Sequence, residues 1–161
     1  DAILAHTVLG PNDGERHSVQ FEPLGVDGLR LALAEAKIRH HVGAIISVKS
    51  VVTKTASKRE LGARRHALAV DMESFAIAAA ARAEAGVLIL RVVSDAVDDE
   101  LPAEIGSFLD ARGRVRLRSV ARFALRGPRS LRTLLRLNAH LDKATASLTA
   151  AWRAVWAVMR R

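Results

Sequence analysis

The chain contains no cysteine, which excludes disulfides and thiolate metal sites but assigns no compartment. Its six histidines are scattered and show no metal-ligand spacing. His40 and His41 are adjacent, so on a helix they would diverge by about 100°. A basic pair near a helix end is read here as complementing the dipole. No run of eighteen uncharged apolar residues occurs, and residues 1–20 lack the basic-then-apolar order of a signal peptide. Internal repeats and low-complexity tracts are absent, apart from one alanine-rich stretch. An initiating methionine is also lacking: Asp1 leads straight into the strand-like run "AILAHTVLG", and upstream sequence is expected to be missing.

What is present suits a folded domain. Half of the 161 residues are apolar, enough for one domain with a real core and against disorder as the default. Charge is divided unevenly. Residues 110–161 hold 13 Arg and Lys against Asp110 and Asp142, about +11 of a total of +8, leaving about −3 for residues 1–109. The front is a near-neutral domain and the tail a basic module.

Hydrophobic patterning places the elements. Strands are expected over 2–9, briefly over 17–22 before Pro23, over 42–48, over 66–72 and over 87–94, the later ones continuous in Val, Ile, Leu and Ala. Residues 9–17, "LGPNDGERH", read as a loop. Leu29, Leu33, Ala36 and His40 recur at helical spacing. Ser57 and Glu60 have the spacing of a capping box. The alanine-rich "ESFAIAAAARAEA" (73–85) reads as a helix closed by Gly86. Strand, helix and strand over 66–94 fill one βαβ length, so strands 66–72 and 87–94 are expected parallel and close. Two extended pieces around a turn at residues 110–113, a short helix over 118–126 and a long helix from Ser130 to Arg161 complete the chain. Leu134, Asn138, Leu141, Thr145, Leu148, Trp152, Val155 and Met159 form a heptad-like stripe along that last helix. The fold class is α/β, with a mainly parallel sheet.

Both most strand-like segments end on acids: Asp71 and Glu73 in "AVDMES", and Asp95, Asp98 and Asp99 in "RVVSDAVDD". In an open parallel sheet, ligands bind beyond the carboxyl ends of the strands. Glu73 and Asp95 are therefore candidates to face one small ligand, their different surroundings suiting different protonation states. Plain roles remain open beside this one. Glu73 sits in a first helical turn, where the dipole favours a negative charge. Asp95 could cap the segment that follows, and Asp98 and Asp99 could be solvated loop charges.

"AVDMESFAIAAAA" followed by "LILRVVSDAVDDELP" resembles the C-terminal half of the purine nucleoside phosphorylase and nucleosidase superfamily. Its signature is an acid-Met-Glu-Ser/Ala segment, a helix, and a strand ending in Arg-x-x-Ser-Asp. Within that superfamily the chain looks most like the hopanoid-associated phosphorylases, or adenosylhopane nucleosidases, whose tail "PRSLRTLLRLNAHLDKATASL" also resembles. The resemblance implies a three-layer αβα fold with a mainly parallel mixed sheet, N-terminally incomplete. It further implies a division at residues 1–102 and a basic helical extension over 103–161.

The implied chemistry is cleavage of a purine N-ribosyl bond, releasing adenine from adenosylhopane or, in the alternative, from a methylthioadenosine- or adenosylhomocysteine-type nucleoside. Asp95 would protonate N7 of the departing purine, with Ser94 orienting it. Glu73 would clamp the ribose hydroxyls, Met72 would pack under the sugar, and Val51 and Val52 would contribute to the base pocket. A general acid needs a proton near working pH, which burial beside Val92 and Val93 would favour. No metal or cofactor is implied, with inorganic phosphate a co-substrate if the reaction is phosphorolytic. The alternative of another class is a non-catalytic membrane- or subunit-binding fragment.

Three partners compete for the tail. Its stripe could pack on the domain or on a second copy. Trp152 and Trp156 with Arg153, Arg160 and Arg161 suit a membrane surface, and the location implied is cytoplasmic, peripheral at the inner face. Nucleic acid suits the charge, but the tail has no recognised motif for it and few rings to stack bases.

Overall fold

The computed structural model describes residues 1–11, 18–20, 26–81, 86–110 and 114–160. The expected loop over 9–17, the end of the second strand at Phe21–Pro23, the end of the alanine-rich helix and the turn over 110–113 all fall wholly or partly outside these residues.

A five-stranded mixed sheet forms the middle layer. β1 (Ala2–Leu9) is central and runs parallel to β3 (His40–Ser47), which runs parallel to the edge strand β4 (Ala67–Asp71). The other edge of β1 is shared. β2 (Ser18–Gln20) pairs antiparallel with Thr7–Leu9, and β5 (Ile89–Val92) pairs antiparallel with Ala2–Ala5. The parallel ladders dominate, and helices cover both faces.

β1 is apolar over Ala2–Ala5 and again at Val8 and Leu9, because both its faces are buried there, and His6, between the two runs, is exposed. Ala2 and Leu4 face a cluster with Leu29, Leu33, Leu90, Ala151 and Val155. Ile3, Ala5 and Val8 face the other, with Ile45, Ala78 and Ile89. Ala5 and Val8 share a face because the register slips between Ala5 and Thr7; an extra residue there shifts the alternation by one.

The first cluster is roofed by α1 (Val26–Glu35) and α5 (Pro128–Met159). The second lies under α3 (Ser74–Ala80), with Phe75 packed against it. α2 (Thr55–Arg65) packs on β4, and α4 (Leu117–Ala124) on α5. Beside α4, the Arg126 guanidinium donates to Glu104 and holds its carboxyl below the usual carboxylate range.

Several expectations change. β4 and β5 are not parallel neighbours: β3 and β1 lie between them, and β5 runs the other way. The reason is α3, which crosses the sheet face over β3, β1 and β2 and delivers the chain to the far edge. The right-handed crossover rule governs only strands that end up parallel.

The first helix stops at Glu35, and His40 and His41 belong to β3. Lys37 adopts φ 56° there, and Ile38 N–H closes on Leu33 C=O in a Schellman-type turn. Ser57 and Glu60 form no capping box, because α2 begins at Thr55 with Lys54 as its N-cap. Gly86 does not close α3, whose C-cap is Ala81. The segment after Pro102 is a short 3₁₀ turn (Ala103–Ser107) followed by a single bridge, Leu109 to Val115.

The stripe on α5 is rotated from the expected one. Ala151 and Val155 are buried, with Ala154 and Val158 packed beside them. Leu141, Leu148, Trp152 and Met159 face outward. Small side chains let the helix approach α1 and the sheet closely, so alanine rather than leucine marks the packed face.

Candidate active site

Between α2, β4 and the run Arg91–Asp95 lies a cavity of about 570 Å³, within the range of small-molecule sites. Its floor is β4 with Ile45 and Ile46 of β3; its sides are Lys58, Arg59, Leu61 and Gly62 of α2 and the run Arg91–Asp95. Alternation along β5 explains that last wall: Leu90 and Val92 serve the α1/α5 core, Ile89 serves the α3 core, and Arg91 shares the face of Ile89.

One end of the cavity is a buried polar network around Asp71. Its Oδ1 accepts from Ser47 Oγ at 2.6 Å and from the Ser74 backbone N–H at 3.3 Å, and its Oδ2 accepts from Ser74 Oγ. Ser47 Oγ accepts in turn from Phe75 N–H at 2.8 Å, fixing the start of α3 against the end of β3. Ser47 and Ser74 are both buried. Arg91 completes the network, with Nη2 2.9 Å from Asp71 Oδ2 and both Nε and Nη2 donating to Ser74 Oγ. The same Nη2 lies 3.7 Å from Glu73 Oε2. Glu73 is the N-cap residue of α3 and makes no capping bond. Its carboxylate is 65% exposed, so it is free to accept from a ligand.

At the other end is Asp95. Its Oδ2 accepts from Lys58 Nζ at 2.5 Å and its Oδ1 from Ser94 Oγ at 2.9 Å. Lys58 is 8% exposed at its side chain and spends its remaining protons on the carbonyls of Ala96 at 3.0 Å and Asp99 at 2.8 Å. An ammonium has three donors, and all three are used. The expected apolar seat beside Val92 and Val93 is thus a charged one, because α2 brings a cation that strand patterning does not reveal. Asp98 and Asp99 are more than solvated charges: Asp98 pairs with Arg59, and Asp99 Oδ2 accepts from Ala96 N–H at 2.9 Å.

Of the residues expected to form a site, Ser94 and Asp95 line the cavity. Glu73 reaches it through Arg91. Met72 is exposed next to Glu73, while Val51 is exposed and Val52 half-buried on the loop before α2; none of these three lines the cavity. Sequence reasoning gave no role to Arg91, Lys58 or Ser47. Arg91 stood in the quoted Arg-x-x-Ser-Asp pattern, so its signal was present; nothing in the sequence pointed to Lys58 or Ser47. Among the described residues, no group of three acidic or histidine side chains could hold a metal.

Comparison with known proteins bears on the fold and the family. No curated protein matches the chain. Among solved structures, a protein of Francisella philomiragia described as a candidate 5′-methylthioadenosine/S-adenosylhomocysteine nucleosidase superposes with a TM-score of 0.53 at 15% identity. The match covers 88% of this chain and 61% of that one, and at this identity it speaks for the fold. The family model of the phosphorylase superfamily matches residues 2–124, the sheet and every wall of the cavity. This chain belongs to the phosphorylase superfamily.

Proposed function

We propose that the cavity binds a purine nucleoside and that its residues serve cleavage of the N-ribosyl bond. The observation that carries this is the convergence of Asp95, Arg91 and Asp71 on one small-molecule-sized cavity, with Glu73 against Arg91 at its rim. Superfamily membership supports the reaction class. Asp95 relays a proton to purine N7 while Ser94 orients it, and the Lys58 ammonium stabilises the carboxylate that is left. The C–N bond breaks, its electron pair leaves with the base, and the ribosyl cation is taken by phosphate or by water, which then gives up a proton to solvent. Glu73 accepts from the ribose hydroxyls at the rim, beside Arg91. Arg91 Nη2 bridges the two carboxylates, 2.9 Å from Asp71 and 3.7 Å from Glu73, and so holds Glu73 at the rim. Ser47 and Ser74 fix Asp71 from behind.

A methylthioadenosine- or adenosylhomocysteine-type nucleoside is the favoured substrate, on the strength of the Francisella relative's description. The adenosylhopane reading draws on the resemblance of "AVDMES", "RVVSD" and the basic tail and is the second choice.

Adenine release from methylthioadenosine, adenosylhomocysteine and a lipid-linked adenosine, each with and without phosphate, tests the proposal. Asp95→Asn is expected to lower release about 10²- to 10⁴-fold, the usual worth of general acid catalysis. Release undiminished in that variant would overturn the assignment.

A further inference from the structure

α5 carries two apolar faces, and the domain covers one. Ala151, Ala154, Val155 and Val158 lie against the core. Leu141, Leu148, Trp152, Trp156 and Met159 are between 41% and 55% exposed. At 100° per residue these five fall within an arc of about 80°, flanking the packed face. Trp152 and Trp156 stack with centroids 6.2 Å apart, and the Arg160 guanidinium lies 6.0 Å above the Trp156 ring. A continuous exposed ridge of this kind marks an interaction surface.

We propose that this ridge docks on the surface of an anionic lipid bilayer, with α5 lying in the plane of the interface. Charge selects the occupant. The tail carries 13 Arg and Lys against two Asp; on the same wheel Arg153 and Arg160 are the cations next to the ridge, Arg160 over Trp156 and Arg153 with no acidic partner among the described residues. A second copy would bring two tails of about +11 together, whereas an anionic leaflet attracts both. Nucleic acid would reward the arginines but leaves Leu141, Leu148 and Met159 without a purpose. Indole rings suit the headgroup level, with an apolar body and a polar N–H. No described helix is long and apolar enough to cross a membrane, so the contact is lateral, as in interfacial amphipathic helices.

The inference is independent of the proposed catalysis. Its test uses the full chain and vesicles of phosphatidylglycerol or phosphatidylcholine. The two ridge indoles are the only tryptophans, so intrinsic fluorescence reports this surface alone. Expected are sedimentation with phosphatidylglycerol vesicles, a blue shift of emission and quenching by brominated acyl chains. Raising salt from about 0.1 to about 1 M, which shortens the screening length from about 10 to about 3 Å, should weaken binding at least tenfold. Trp152→Ser with Trp156→Ser should do likewise while far-UV circular dichroism stays unchanged. Asp95→Asn should bind vesicles as the parent does, which separates this surface from the catalytic reading. Failure to sediment with phosphatidylglycerol, sedimentation indifferent to the double variant, or a lipid-free dimer that blue-shifts both tryptophans would each overturn the proposal.

Discussion

Lys58 is the side chain whose removal tells most about how the site is held. Its ammonium ties the 95–99 loop to α2 by three bonds, one of them to Asp95. Lys58→Met keeps the stem's volume but strips the donors, leaving a partly buried carboxylate and two carbonyls to find water. Asp95 is about a quarter exposed, which tempers the penalty of a fully buried break. The expected cost is on the order of 2–3 kcal/mol, read as a lower urea midpoint at unchanged slope. A loss below about 0.5 kcal/mol would show the tie to be ornamental. At this scale the sequence was legible in part. The acids of "AVDMES" and "RVVSD" announced themselves because they interrupt apolar runs. Lys58 was invisible, since a lysine in a polar helix is ordinarily a solvated one and only the packing of α2 beside residues 95–99 makes it otherwise. Arg91 was half visible, sitting where an apolar strand residue belongs.

Among the elements, α5 gives the sharpest test. If the packed face is the one described, Val155→Ala opens a void against Leu4, Leu29, Leu33 and Leu90, at about 2 kcal/mol. Leu141→Ala, on the outward ridge, is expected to fall within about 0.5 kcal/mol of the parent. The heptad reading anticipates equal and large losses, so urea unfolding of the two variants decides between the faces. The described strands and the helices α1, α3 and α5 were readable from period and composition, whereas α2 showed only as a capping-box spacing that the helix does not use. Where helices end was not. The stops fall on Lys37 at φ 56° and His66 at φ 49°, left-handed positions that glycine usually marks. With a lysine and a histidine there instead, no punctuation appears in the sequence. Strand order escaped for a different reason: the line of travel of α3 across β3, β1 and β2 decides which edge β5 joins, and that is a property of packing alone.

For the whole molecule, the charge boundary near residue 110 does not coincide with a boundary in the core. α5 shares one hydrophobic cluster with β1, β5 and α1, so deleting residues 128–160 should expose Leu4, Leu29, Leu33 and Leu90 together. The expected outcome is a truncated chain that aggregates or loses cooperative unfolding. A soluble truncated product with the parent's ellipticity per residue and a sharp melt would instead show that residues 1–127 fold unaided. Composition could reveal the basic tail; it could not reveal that two small apolar residues near the chain's end, Ala151 and Val155, finish the core begun by its first strand.

The cavity is walled by stretches that meet only across long chain separations: Lys58 to Asp95 spans 37 residues, and Ser47 to Asp71 spans 24. Loop closures of that length come after local structure in folding. Ligand recognition should therefore arrive last on refolding and vanish first, or together with the sheet, on heating. A fluorescent purine analogue followed in the same stopped-flow trace as backbone ellipticity would register this as a lag between the two signals.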